Sequence, residues 1–319
     1  MDNLAHTLTG LAIAEAGLRR KTALGATTLA IAANLPDIDA LIYLFGDGID
    51  ALAFRRGWTH GILAMVVLPL VLAGVMRAMT RLLAPKTNAP ATSWKWLIAL
   101  SAIGVWSHPL LDLLNTYGVR LLMPFSNRWF YGDTLFIIDL WLWLALLTGI
   151  LLSRRRSLRL TANPARPAQA AIALVGVYIV CMAISSTVGR GIVDRQANRE
   201  RADRVMVSPI PVTPFRRMVV RDLGDRYETG ELTLGGATEY RPTGETPTGR
   251  GSDLATAAAR TPDGAAFLSW SRFPRFAAEP ASDGLLVRIS DMRYADVRGR
   301  GWASVVVRIP SAVLGSADQ

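Results

Sequence analysis

The 319-residue chain has a single cysteine, Cys181, and three histidines. One thiol permits no intrachain disulfide and no cysteine-built metal site. Beyond Cys181 there is neither histidine nor cysteine, so any imidazole chemistry belongs to the first third of the chain. Charge is scarce as well: 19% of residues are charged against 51% of hydrophobic type, and the mean hydropathy is +0.28. That balance is high for a soluble protein and directs the search toward membrane segments. The opening residues lack the basic region of a secretory signal peptide and carry Asp2 and His6, so they are read as mature structure.

What is present is a set of apolar runs. Between Arg166 and Arg190 lie 23 residues without a charge. At about 1.5 Å rise per residue, a helix of that length crosses a ~30 Å hydrocarbon core. Residues 61–76, 96–111 and 134–153 read as further membrane helices, the last interrupted by Asp139. Two shorter stretches, 4–18 and 22–35, are rich in Ala, Gly and Thr. They read either as spans or as half-inserted helices whose small residues permit close packing. The expected fold is a membrane α-helical bundle of four to six helices followed by a soluble β-rich domain.

The basic residues follow this pattern. If the six stretches alternate across the bilayer, one side holds Arg19, Arg20, Lys21, Arg77, Arg81, Lys86, Lys95, Arg154, Arg155, Arg156, Arg159 and Arg166. The other holds Arg55, Arg56, Arg120 and Arg128. Twelve against four places the first set in the cytoplasm by the positive-inside rule. The same bias accounts for the net charge of +10 without nucleic acid, since no nucleic-acid-binding motif surrounds the clusters. The expected location is a bacterial-type inner membrane, multi-pass, with the C-terminal part outside the cytoplasm.

Past residue 190, charges, Pro and Gly become frequent and no apolar run is long enough to span. Residues 1–189 are read as the membrane domain, 190–204 as a helical connector, and 205–319 as an extracytoplasmic β-rich domain. Segments RMVVRDL, YETGELTLG, AAFLSWSRF, GLLVRIS and GWASVVVRIP carry the β-branched and aromatic enrichment of short antiparallel strands.

His6, His60 and His108 each fall at or near the same end of an apolar segment, together with Asp37, Asp39, Asp112 and Asp133. His108 and Asp112, four apart, project from one helix face and can reach one cation. Pro109 between them removes an N–H from that turn. Asp37 and Asp39, after Pro36, fit one ligand and one orienting or bridging carboxylate, or else a helix cap. Asp133 with Thr134 reads equally as helix-start chemistry, and Asp139 has Arg128 as an alternative partner. Ionisable groups near a bilayer core cost a few kcal/mol each, a cost that pairing or a shared cation offsets.

At these motifs the chain resembles the YdjM-like family of inner-membrane metal-dependent hydrolases. The matching segments are MDNLAHTLTG, AANLPDIDAL, RRGWTHGIL and SHPLLDLLNTYGVRLLMPFSNRWFYGDTLFIIDLWLW, covering about residues 1–155. The resemblance implies His6, Asp37, Asp39, His60, His108 and Asp112 as metal-site residues, with Asp133 and Asp139 lining the site. It also implies a phosphoester or lipid-type substrate, because the family has been compared with zinc-dependent phospholipase C. On this reading Zn²⁺ suits the imidazoles, while manganese and iron remain compatible with so many carboxylates. Asp37 or Asp39 is the expected general base. Arg120 and Arg128 would receive an anionic lipid headgroup or act as interfacial anchors. The alternative function is a non-catalytic scaffold whose β-rich domain binds an envelope partner; a transporter is a third reading, without visible repeat symmetry. The sequence names no protein partner.

Overall fold

The computed structural model describes residues 1–46, 48–83, 90–197, 200–281, 284–296 and 301–310; Lys86 of the basic set and residues 198–199 of the connector lie outside them. In chain order the helices are α1 (Asn3–Glu15), α2 (Gly25–Ala32), α3 (Gly48–Phe54), α4 (Ile62–Leu82), α5 (Trp94–Leu113), α6 (Leu140–Leu158) and α7 (Arg166–Gln196). Then come β1 (Arg204–Pro209), β2 (Arg216–Asp222), β3 (Arg226–Thr233), β4 (Glu239–Pro247), α8 (Asp253–Arg260), α9 (Pro262–Trp270), β5 (Pro274–Ala281), β6 (Gly284–Asp291) and β7 (Ser304–Pro310). The chain forms two compact units, Met1–Ala40 with Arg55–Ile184, and Leu41–Phe54 with Ser185–Gln319.

In the helical unit, α4, α5 and α7 are long and apolar enough to cross a membrane. Their large apolar side chains stand exposed, among them Val66, Leu70, Val71, Leu174, Val177 and Val180, as a lipid-facing surface requires. The shorter stretches resolve differently. At 13 and 8 residues, α1 and α2 are about 20 and 12 Å long and stop short of a full crossing. The run expected over 134–153 begins its helix only at Leu140, because Asp139 caps α6 by accepting from Leu142 N at 3.0 Å. Helix-start chemistry at Asp133 and Thr134 is therefore absent; Asp133 takes a positive φ of 50° before the helix.

Small residues set the packing of this unit. A Cβ at Gly10 of α1 would meet the Leu29 carbonyl of α2 at 2.6 Å, and one at Gly104 of α5 would overlap Ala32. α2 is thus gripped closely from two sides. One end of the unit gathers basic loops: Arg19 Nη1 and Arg154 Nε each donate to Glu15 Oε1 at 3.0 Å, and Lys21 stands 5.1 Å from the Trp96 ring. His6, His60 and His108 collect at the other.

The second unit contains a four-stranded sheet in the order β1-β2-β3-β4 and a three-stranded sheet β5-β6-β7, all pairs antiparallel. Four of the five expected strand segments become β2, β3, β6 and β7. AAFLSWSRF does not: residues 265–270 belong to α9. Thr261 caps that helix, Pro262 opens it, and Phe267 and Trp270, three apart, share its buried face. The connector also differs, since α7 runs on to Gln196 and β1 starts at Arg204. The alternation of spans leaves roughly residues 37–60 as a loop, yet α3 forms within it and packs on α9.

Candidate metal centre

The site is built on α5. His108 and Asp112 face the same way one helical turn apart, with His108 Nε2 3.5 Å from Asp112 Oδ2. His108 Nδ1 lies 2.7 Å from the Ala33 carbonyl, which follows the C-terminal end of α2. That carbonyl can only accept, so Nδ1 carries the proton and Nε2 presents its lone pair to the site. The close approach of α2 and α5 at Gly104 is what brings Ala33 within reach.

Two further imidazoles complete the cluster. α1, started by Asp2 accepting from Leu4 N and Ala5 N, carries His6. The His6 ring stacks on His108 with centroids 3.6 Å apart, and its Nε2 is 3.4 Å from Asp112 Oδ1. His60, just before α4, places Nε2 3.4 Å from Asp112 Oδ2 and 3.9 Å from Asp37 Oδ1. Asp37 Oδ1 lies 3.7 Å from His108 Nε2. All three imidazoles and Asp112 are fully buried, and Asp37 is the most accessible member at 9%.

The two carboxylates of NLPDID divide their work. Asp37 turns Oδ1 to the imidazoles. Asp39 lies behind His60, its Oδ2 3.4 Å from His60 Nδ1, and is saturated: Oδ2 accepts from Arg56 N at 2.8 Å and Thr59 Oγ1 at 2.9 Å, and Oδ1 accepts from Arg55 Nε at 3.2 Å. Thr59 Oγ1 is also 2.9 Å from His60 Nδ1, so Asp39 and Thr59 together hold the His60 ring with Nε2 inward. Arg55 reaches Asp37 Oδ1 at 3.1 Å, and Arg56 reaches Asp112 Oδ1 at 3.4 Å. The Met1 amino group also contacts Asp112 Oδ1.

Six donor atoms therefore converge: three imidazole nitrogens, one oxygen of Asp37 and both oxygens of Asp112. Of these, His6 Nε2, His60 Nε2, His108 Nε2 and Asp112 Oδ2 are buried with no hydrogen-bond partner. Such groups are expensive to leave open. Their spacing suits a cation better than direct hydrogen bonds: ligands about 2.0–2.1 Å from a tetrahedral ion stand roughly 3.3 Å from one another, close to the 3.4 and 3.5 Å found around Asp112. The donors fall into two sets, His6/His108/Asp112 and Asp37/His60/His108. With Nδ1 protonated, His108 has one lone pair and serves one ion, whereas Asp112 has an oxygen for each side.

The remaining sequence-expected residues stand apart from this cluster. Asp139 caps α6 and accepts from the Tyr178 hydroxyl at 3.0 Å. Asp133 is buried, outside both donor sets. Arg120 is buried over the Trp129 ring and donates to the Arg55 carbonyl at 2.8 Å, which braces the loop that carries Arg55 and Arg56. Arg128 is exposed, 5.3 Å from the Phe130 ring. Sequence reasoning gave no site role to Arg55, Arg56, Thr59 or the Ala33 carbonyl. The first three sit within five residues of His60 in RRGWTH, a polar density that marked them; a backbone carbonyl leaves no such mark.

Apolar spans around a buried nest of imidazoles and carboxylates define a membrane protein with a donor cluster at one end of its bundle. The chain belongs to the YdjM inner membrane protein family, whose model matches residues 1–188. It is 24% identical over 268 residues to the uncharacterized protein YfhP of Bacillus subtilis (strain 168), covering 81% of this chain and 74% of that one. It is 30% identical over 151 residues to the inner membrane protein YbcI of Escherichia coli (strain K12), covering 40% of this chain and 82% of that one. No solved structure matches the chain.

Proposed function

We propose that the chain is a membrane-bound metal-dependent hydrolase acting on a phosphoester or lipid-type substrate at the outer membrane–water interface. The observation that carries this reading is the convergence of buried, unpartnered imidazole and carboxylate atoms in a helical bundle. The donor set of three nitrogens and carboxylate oxygens is the chemistry that zinc prefers. When bound, such an ion supplies Lewis acidity toward a phosphoryl or carbonyl oxygen and makes water a nucleophile near neutral pH.

The chain's own residues divide the remaining tasks. His6, His60, His108 and Asp112 would hold the ion together with one oxygen of Asp37, leaving the second oxygen of that carboxylate for proton transfer. Asp39 and Thr59 fix the His60 tautomer, and the Ala33 carbonyl fixes that of His108. Asp37, the most accessible carboxylate of the cluster, is assigned to accept the proton from the attacking water. Arg55, between Asp37 and Asp39, supplies positive charge beside the place where an anionic substrate would develop charge. Apolar Ile38 and Trp58, both about half exposed, flank these residues in the chain and offer contact to a lipid substrate.

On the same reading, the donor end faces out and the basic end faces the cytoplasm. Reporter fusions after Ser157 and Asp263 should report cytoplasm and exterior respectively. For activity, detergent-purified protein is assayed against phosphomonoesters, phosphodiesters and phospholipids with and without divalent metals. Metal-dependent turnover that disappears in Asp37→Asn while the helical content stays constant supports the proposal. A full panel without metal-dependent hydrolysis refutes it and leaves the scaffold reading.

A further inference from the structure

The end of the helical unit away from the histidines holds a second feature that the hydrolase reading does not use. A cavity of about 220 Å³ is bounded by Glu15 at the end of α1, Gly17 beyond it, Arg19 and Arg20 in the following turn, Ser153 on α6, and Asn163 before α7. Residues 15–21 and 153–166 carry eight basic side chains against one acid, Glu15. Glu15 is already satisfied by Arg19 and Arg154 at 3.0 Å each. The excess positive charge is therefore not neutralised within these two segments.

Two guanidinium groups of the cavity wall converge on one neutral oxygen beside it. Arg19 Nη2 donates to Ser157 Oγ at 2.9 Å, and Arg20 Nη2 approaches the same atom at 3.5 Å. Paired arginines directed at one point are arranged for an oxyanion, which accepts charge-assisted hydrogen bonds from both. The position is equally specific. The uncharged run of α7 begins at Pro167, just past the cavity wall at Ala165, so the cavity sits where hydrocarbon gives way to headgroups.

We propose that this cavity is a binding site for phosphate, supplied by the headgroup of an anionic phospholipid and held by Arg19 and Arg20 of its wall, the phosphate taking over the guanidinium hydrogen bonds that now go to Ser157 beside the cavity. A bound headgroup would tie α1 to α6 and α7 at the bilayer surface.

The test is thermal stability in a neutral detergent, titrated with phosphatidylglycerol, phosphatidylcholine or inorganic phosphate. Phosphatidylglycerol should raise the Tm of the natural protein saturably. The apparent affinity should fall about tenfold or more in Arg19→Gln/Arg20→Gln. Because Arg19 also braces Glu15, Arg20→Gln alone provides a milder variant, and its affinity should fall too. Arg155→Gln, an exposed arginine off the cavity wall, should titrate like the natural protein. Stabilisation by inorganic phosphate that is lost in Arg20→Gln would support the phosphate site with a free anion as its source. Equal stabilisation by phosphatidylcholine and phosphatidylglycerol, or equal losses in Arg20→Gln and Arg155→Gln, would overturn the proposal.

Discussion

Two buried aspartates, Asp112 in the helical unit and Asp291 in the β unit, meet the same physical problem in opposite ways. Asp291 is closed. Its Oδ1 accepts from Arg293 N and Nε at 2.9 Å each, and its Oδ2 accepts from Ser271 Oγ and Arg272 N at 2.7 Å and Arg293 Nη2 at 3.0 Å. Burial alone would raise the Asp291 carboxyl, but the Arg293 charge and these hydrogen bonds outweigh it and hold the group below its ordinary range. Asp112 is equally buried, yet Oδ2 has no hydrogen bond and faces two imidazole nitrogens at 3.4 and 3.5 Å. A saturated carboxylate is a structural element. On the proposed reading, an open one among open imidazoles is a group that a cation would satisfy.

The largest expected effect comes from removing the shared open carboxylate. Asp112→Asn keeps the volume but withdraws the charge and one ligand atom, so metal affinity should fall by roughly a hundredfold or more. Isothermal titration of metal into apo protein checks this; unchanged affinity would put Asp112 with Asp291 in the structural class. Closing a different door, Asp291→Asn leaves the Arg293 guanidinium buried without its counter-charge and should destabilise the β unit by about 3–5 kcal/mol. Hydrogen exchange of β6 in the full chain should show faster opening, with metal content untouched.

The closed aspartate also gives a pH dependence. Because the folded Asp291 carboxyl is held below its unfolded value of about 3.9, its contribution is complete above that value and disappears as pH falls through the lower folded one. Protection of β6 should therefore drop on acidification below about pH 4, and the drop should be shallower in Asp291→Asn. An identical acid profile in the two proteins would remove Asp291 as its origin.

Asp39 lies between the two cases, saturated like Asp291 but bonded to a group that presents a ligand. Asp39→Asn should cost roughly ten- to a hundredfold in metal affinity through misplacement of His60, less than Asp112→Asn. The smallest effect belongs to Arg226, whose bonds to Glu200, Asp225 and Glu245 are all at the surface. Exposed pairs are screened by water and salt, so Arg226→Ala should leave both the unfolding midpoint and metal content unchanged. A shift in either would show that the β unit depends on its surface network.

Much of the donor cluster was legible because its residue types are rare and its spacing local. The four-residue step from His108 to Asp112 implies one helix face, and three histidines at corresponding ends of apolar runs imply one end of a bundle. The division of labour between Asp37 and Asp39 was not legible, because it depends on Arg56 N and Thr59 reaching Asp39 across a fold. Nor was the fixed tautomer of His108, which needs the Ala33 carbonyl and the close packing at Gly104. In the β unit the alternating segments declared themselves, but AAFLSWSRF did not: a short apolar run has no period of its own, and the Thr261–Pro262 cap decided for helix. β4 was hidden by Pro242, Gly244 and Pro247, residues that an edge strand tolerates.

Metal content bears most directly on the open cluster. Protein purified in detergent without chelators should carry a transition metal in near-stoichiometric amount, and the variant His60→Ala/His108→Ala, with matching helical content, should carry almost none. Equal metal in the two preparations would contradict the account and return the three histidines to a purely structural role.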